Sequence, residues 1–150
     1  MIRVAVAGAT GRMGKTLIQA ISESDGLTLT AGFEHADHPK LGEDLGVLCG
    51  LGLLDVALSS DPQSQANDFD VVIDFTIPSA TLALARVCSE KGNAMVVGTT
   101  GFDDQQTNAL EGYSRKTAIF VSPNMSVGVS LSMKLIEIAA KALGDEFDVE

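Results

Sequence analysis

At 150 residues the chain has room for one domain, and a domain of that size buries about 70% of the surface its unfolded form exposes. Its composition, 45% hydrophobic and 20% charged, belongs to a packed globular protein and excludes a disordered or fibrous one. A net charge of −10 argues against a nucleic-acid partner, because binding a phosphate backbone depends on Lys and Arg displacing its counterions.

Short apolar runs alternate with helix-like segments along the chain, the pattern of βαβ units feeding a parallel sheet. The spacing predicts strands at Val4–Ala7, Leu29–Phe33, Val71–Phe75, Met95–Gly98 and Ile119–Ser122. Each is a continuous apolar run of the kind that helices cover on both faces. Helices are predicted at Met13–Ser22, Ala80–Glu90, Asp104–Arg115 and Val127–Leu143. In the last, Leu131, Leu135, Ile138, Ala139 and Ala142 share a face between an N-cap at Ser126 and a stop at Gly144. Between His35 and Asp70, glycines 42, 46, 50 and 52 interrupt any periodicity, and the stretch reads as loop with one short strand near Val56–Leu58. The expected architecture is α/β: a Rossmann-type doubly wound parallel sheet with flanking helices.

The ends bear on the setting. Ile2–Ala7 is too short an apolar run for a signal peptide, and no run approaches the ~18 apolar residues of a membrane span. Phe147–Glu150 looks like the start of a new strand, so a longer protein is expected. A first domain would occupy residues 1–126, with residues 127–150 forming a connecting helix and the start of a second domain. Cys49 and Cys88 lie in no metal or redox motif, and His35 and His38 have no further Cys or His to close a zinc set. A reduced cytoplasmic setting and no metal are expected.

The chemistry begins after the first strand, where Gly8-Ala9-Thr10-Gly11-Arg12-Met13-Gly14 opens a helix. The spacing GxxGxxG is a variant of the dinucleotide fingerprint. It supplies a tight turn at Gly8, close backbone approach to a pyrophosphate at Gly11, and a small residue at Gly14 where helix meets strand. The helix N-terminus offers free N–H groups, and Arg12 adds a full charge. Glu34 stands 20 positions beyond Gly14 at the end of the second strand, where a Rossmann domain places the carboxylate that accepts from the adenosine ribose. His35 is expected to flank that ribose, while His38 reads as a solvated loop residue.

Two further segments end strands on the side where open α/β sheets bind ligands. In Gly98-Thr99-Thr100-Gly101, the glycines allow a ring to approach and both threonine hydroxyls can bond to an amide or carboxylate. Ser122-Pro123-Asn124-Met125 precedes the long helix and, taken alone, reads equally well as a rigid turn with a capping residue. Asp74-Phe75-Thr76 is open in the same way between strand packing and ligand contact.

Taken together, GATGRMG at Gly8–Gly14, FE at Phe33-Glu34, DFT at Asp74–Thr76, VVGTTGF at Val96–Phe102 and SPNMSVGV at Ser122–Val129 resemble the 4-hydroxy-tetrahydrodipicolinate reductases of bacterial diaminopimelate and lysine biosynthesis. The ordered pair of the last two motifs is the most specific part. The resemblance implies hydride transfer from NADH or NADPH to a cyclic, doubly carboxylated imine. It implies that Gly8, Ala9, Thr10, Gly11, Arg12 and Met13 hold the pyrophosphate, and Glu34, with His35 beside it, the adenosine ribose. Gly98, Thr99, Thr100, Ser122, Pro123, Asn124 and Met125 would hold the nicotinamide end, with Thr100 also near a substrate carboxylate. His35 stands where relatives that bind the NADPH 2′-phosphate often carry Arg. The family's proton donor and substrate clamp belong to a second domain with a His-His motif that does not occur before Glu150. No catalytic residue is therefore expected within this chain, nor turnover by it alone. The resemblance further implies a homotetrameric complete enzyme assembled through that second domain, with this half a candidate monomer.

Two alternatives remain at this level. A noncatalytic NAD(H) sensor or interaction module would need only the adenine half, and so has no use for the GTTG and NMSVGV segments. The other is a homoserine- or aspartate-semialdehyde-type dehydrogenase; the latter needs an activated cysteine, and neither Cys49 nor Cys88 has a His beside it in sequence.

Overall fold

The computed structural model describes residues 1–144 and Phe147. Six strands form one parallel sheet: β1 (Ile2–Ala7), β2 (Leu27–Phe33), β3 (Leu58–Ser59), β4 (Val71–Asp74), β5 (Ala94–Val97) and β6 (Ile119–Val121). Five helices connect or follow them: α1 (Arg12–Ser22), α2 (Leu45–Cys49), α3 (Pro78–Lys91), α4 (Asp104–Ser114) and α5 (Val127–Leu143). The strand order is β3-β2-β1-β4-β5-β6, so the chain leaves β1 in one direction and later returns to its other side. This is the doubly wound Rossmann arrangement, and its switch point lies between the carboxyl ends of β1 and β4.

The central strand shows how period-two alternation builds two cores. Val4 and Val6 point into one cluster with Ala9, Ile18, Ile21, Leu29, Leu45 and Leu58, beneath α1 and α2. Ala5 and Ala7 point into the other with Phe33, Phe69, Val72, Leu84, Cys88 and Leu110, beneath α3 and α4. Alanines on that face let the Phe33 and Phe69 rings meet edge-on at 5.8 Å.

The structure moves several expected boundaries by one or two residues, as frayed ends normally do. Strands β4, β5 and β6 stop one residue short of Phe75, Gly98 and Ser122, and β3 falls on Leu58–Ser59 rather than Val56–Leu58. Pro78 opens α3 two residues before the expected Ala80, as Pro suits the first helical turn. The strand expected over Phe147–Glu150 lies outside the described residues, apart from Phe147, which sits in a bend.

Two differences are larger. The loop expected between His35 and Asp70 contains α2. Its glycines are packing and capping devices: a Cβ on Gly46 would come within 2.2 Å of the Gly52 carbonyl, and Gly50 caps the helix at φ 75°. The second concerns coverage, since helices were expected over both faces of every strand. Phe120 and Val121 of β6 are exposed, and α5 forms over the expected residues yet buries none of them.

Asp44 anchors the α2 region. Its carboxylate caps α2 at the Val47 N–H and accepts from the Leu54 and Val56 N–H groups at 3.1 and 3.0 Å. Desolvation acts to raise this carboxyl, but the N–H groups of Leu54, Val47, Val56 and Gly46 outweigh it and leave it below its ordinary value. A carboxyl depressed in the folded state adds stability that is complete above its unfolded value, about 3.9, and is lost as pH falls through the folded one. Asp44→Asn should therefore flatten the acid limb of stability below about pH 4, read from urea unfolding at several pH values. An acid slope identical to that of the parent would count against this role.

Candidate functional site

The turn after β1 is tied to its neighbour. Gly8 and Ala9 both donate to the Phe33 carbonyl at the end of β2, at 2.9 and 3.2 Å, and Gly11 donates back to Gly8 O at 3.0 Å. Gly8 holds φ +67°, a conformation that costs glycine little, and the methyl of Thr76 closes the opposite side. Gly14 lies so close to this turn that a Cβ on it would stand 2.1 Å from Gly8 O and 2.7 Å from Ala9 C. The sequence places glycine there because the first turn of α1 rests directly on backbone. The N-cap of α1 is Gly11, with no side-chain cap, so the first-turn N–H groups keep their partial positive charge for an incoming anion.

Glu34 follows β2, its N–H held by Ser59 O at 2.9 Å. Its Oε1 accepts from Thr10 twice, from the backbone N–H at 3.1 Å and the hydroxyl at 2.6 Å. Thr10 Oγ1 also lies 3.2 Å from His38 Nε2. His38 is therefore half-buried against this turn, where the sequence reads it as a solvated loop residue. His35, expected to flank the ribose, is exposed, and its ring packs edge-on against His38 at 5.3 Å. Thr10, Lys15, His38, Lys40 and Leu48 line a cavity of about 200 Å³ beside Glu34.

On the other side of the switch point, Asp74 is fully buried and its Oδ1 accepts from Thr76 N–H and Oγ1, at 2.8 and 2.6 Å. That fixes the turn facing Gly8. Gly98 carries the Phe75 ring, since a Cβ there would meet Phe75 Cε1 at 2.1 Å. Both threonine hydroxyls after β5 were expected to face a ligand, and the structure separates them. Thr99 is buried, with its hydroxyl accepting from Thr81 Oγ1 at 3.0 Å, whereas Thr100 is exposed. Thr81, 18 residues away, has no signal in the sequence that would have identified it as a partner.

After β6, Ser122 N–H bonds to Val97 O at 3.0 Å, and Ser122 Oγ donates to Asn124 O at 2.8 Å. Asn124 Oδ1 accepts from Ser126 N–H, and Ser126 caps α5 at Val129 N–H. The segment is thus a self-bonded turn that leaves Pro123 and Met125 exposed. A larger cavity of about 310 Å³, between α4 and β6, is apolar and is lined by Phe102, Leu110 and Ile119 among others; it contains none of the site residues.

All these segments follow the carboxyl ends of β1, β2, β4, β5 and β6, and so stand in a row along one edge of the sheet. From β2 to β6 the row spans four strand intervals, about 19 Å. The buried thiol of Cys88 is pushed up to about 12 by desolvation and by the nearby Asp74 charge, which disqualifies it as a nucleophile. Half-buried Cys49 is raised as well, by desolvation. Among the described residues no helix is long and apolar enough to cross a membrane.

A family model described as dihydrodipicolinate reductase, N-terminus, matches residues 2–125. The chain belongs to this family. The dihydrodipicolinate reductase likeness extends over all 150 residues in one curated relative, the 4-hydroxy-tetrahydrodipicolinate reductase of Chromohalobacter salexigens, at 46% identity. The chain spans 56% of that relative's length. A dipicolinate-bound dihydrodipicolinate reductase from Paenisporosarcina sp. TG-14 superposes with a TM-score of 0.73 at 27% identity, covering 93% of this chain and 54% of the other. The fold alone is shared more widely. A biliverdin reductase from Synechocystis, solved with biliverdin and NADP+, matches 81% of this chain and 37% of its own at a TM-score of 0.63 and 16% identity.

Proposed function

We propose that this chain is the cofactor-binding half of a 4-hydroxy-tetrahydrodipicolinate reductase, holding NADH or NADPH along the row of strand ends. The observation that carries the reading is the turn at Gly8–Met13 next to Glu34. There the first-turn N–H groups of α1 carry no side-chain cap, and Gly8, Gly11 and Gly14 let the turn pack tightly on itself and on α1, which presents those N–H groups to a pyrophosphate. The bound dinucleotide would supply the hydride. The chain's own residues bind and orient: Arg12 and the α1 N-terminus neutralise phosphate charge, Glu34 accepts from the adenosine ribose, and Gly98, by seating the Phe75 ring, shapes the turn beside the nicotinamide. Thr100, exposed after β5, would donate its hydroxyl to a substrate carboxylate. Ser122, Pro123, Asn124 and Met125 wall the same end. Family membership and the presence of segments 98–101 and 122–125 at strand ends favour this reading over a sensor of the adenine half alone.

In the same reading residues 1–126 are the nucleotide domain, and α5 leads toward a substrate domain. The complete enzyme works as a tetramer in the cytoplasm on a small-molecule substrate. The free thiols of Cys49 and Cys88 fit a reducing compartment.

Calorimetric titration tests the binding claim, with NADH expected to bind in the micromolar range. Gly11 sits at φ −68°, which any residue adopts, but its Cβ would stand 3.2 Å from Gly8 O, so the thermal midpoint of Gly11→Val is recorded alongside to confirm that it folds. Its branched side chain would occupy the face that phosphate oxygens must approach, and affinity should fall at least about tenfold, or ~1.4 kcal/mol. Unchanged affinity in this variant would remove the pyrophosphate assignment.

A further inference from the structure

At the end of β2 the hydrogen-bond partners determine where each proton lies. Lys40 N–H donates to His38 Nδ1 at 3.3 Å, which makes that nitrogen an acceptor and assigns the ring proton to Nε2. Nε2 lies 3.2 Å from Thr10 Oγ1. The Thr10 hydroxyl donates its single proton to Glu34 Oε1 at 2.6 Å, so toward His38 it accepts. Thr10 N–H adds a second donor to the same Oε1. The chain of donors therefore runs from Lys40 through His38 and Thr10 to one oxygen of Glu34.

We propose that His38 is a positioning residue for cofactor choice: by donating to Thr10 Oγ1, it holds the Thr10 hydroxyl on Glu34 Oε1 and leaves Oε2 facing the adenosine ribose. This rests on the reading of Glu34 as the ribose acceptor. The orientation matters unequally for the two dinucleotides. NADH presents two ribose hydroxyls that can donate to a fixed carboxylate. NADPH replaces one of them with a phosphate, which a fixed carboxylate repels. Lys15 and Lys40, which line the cavity with His38, supply positive charge on the side where that phosphate would enter. Losing the relay should weaken NADH while leaving NADPH nearly unaffected, because a freed Glu34 can turn away from the phosphate.

The test titrates the 150-residue chain and three variants with both dinucleotides, with thermal midpoints recorded to confirm folding. His38→Ala should raise the NADH Kd about fivefold, the size of one net hydrogen bond, and the NADPH Kd less than about twofold. His38→Gln, whose amide N–H can reach the same oxygen, should restore NADH binding. Thr10→Val keeps the backbone donor and removes the hydroxyl; whatever it costs both dinucleotides through the Gly8–Met13 turn, it should lower NADH affinity more than NADPH affinity, even if His38→Ala proves too unstable to use. Equal losses for both dinucleotides, a silent Thr10→Val, or no rescue by Gln would overturn the proposal. If the parent chain binds neither dinucleotide, the ribose reading of Glu34 falls and this inference falls with it. If the parent binds and the variants show no selectivity, only the inference falls.

Discussion

Gly14→Ala is expected to destabilise the protein by about 2–3 kcal/mol, against the usual sign for replacing glycine inside a helix. Helix propensity alone favours Ala over Gly by about 1 kcal/mol. At Gly14, however, the new Cβ would stand 2.1 Å from Gly8 O and 2.7 Å from the Ala9 carbonyl. These obstacles are backbone atoms pinned by two bonds to Phe33 O, so neither can rotate aside as a side-chain tip would. Relief requires α1 to lift from the turn, which also displaces the uncapped N–H groups, so NADH binding should weaken beyond what the lost stability explains. Gly112 supplies the internal control. It lies in α4 with no atom within 4 Å of its ideal Cβ, and Gly112→Ala should stabilise by up to about 1 kcal/mol. Urea unfolding of both variants decides the matter. Shifts of the same sign would mean that close packing at Gly14 does not govern the choice of glycine.

That contrast also marks what the sequence makes legible. GxxGxxG between an apolar run and a helix pattern locates the turn, and Glu34 follows from spacing, because both signals are local and periodic. The long helix α5 occupies the expected residues for the same reason, with Ser126 and Gly144 as its caps. What stays hidden depends on contacts between distant residues. The helix α2 is masked because Gly46 and Gly50 read as breakers, whereas Gly46 is demanded by the Gly52 carbonyl and Gly50 by a left-handed cap. His38 reads as a polar loop residue, since its partner Thr10 is 28 positions away and meets it only once β1 and β2 pair. Thr99 reads as ligand-facing until α3 brings Thr81 onto its hydroxyl. The apolar runs of β6 and α5 imply cover on every face, and pattern alone does not say what supplies it.

The 150-residue chain is expected to hold the cofactor and yet reduce substrate more than about a millionfold more slowly than a full-length relative. Hydride transfer requires the acceptor carbon held about 3.5 Å from the nicotinamide, and such positioning is worth roughly 7–11 kcal/mol. In the proposed reading Thr100 would meet one substrate carboxylate, and segments 98–101 and 122–125 carry no cationic side chain to clamp the second, so the ring would be free to turn. Proton delivery is missing as well. Segments 98–101 and 122–125 contain no acid, His, Lys or Cys, and Asp74 beneath them is fully buried. His35 and His38 stand at the end of β2, three strand intervals from β5, about 14 Å away. General acid catalysis, commonly worth about 10²–10⁴-fold, is lost with them. Together the two deficits exceed about 8 kcal/mol, or roughly six powers of ten. The check is NADH oxidation with freshly generated substrate, comparing this chain with the full-length Chromohalobacter relative, of which it spans 56%. Turnover within about a hundredfold of that enzyme, less than the ~2.7 kcal/mol cost of losing one catalytic group, would place the proton donor among these residues and contradict this account of the site.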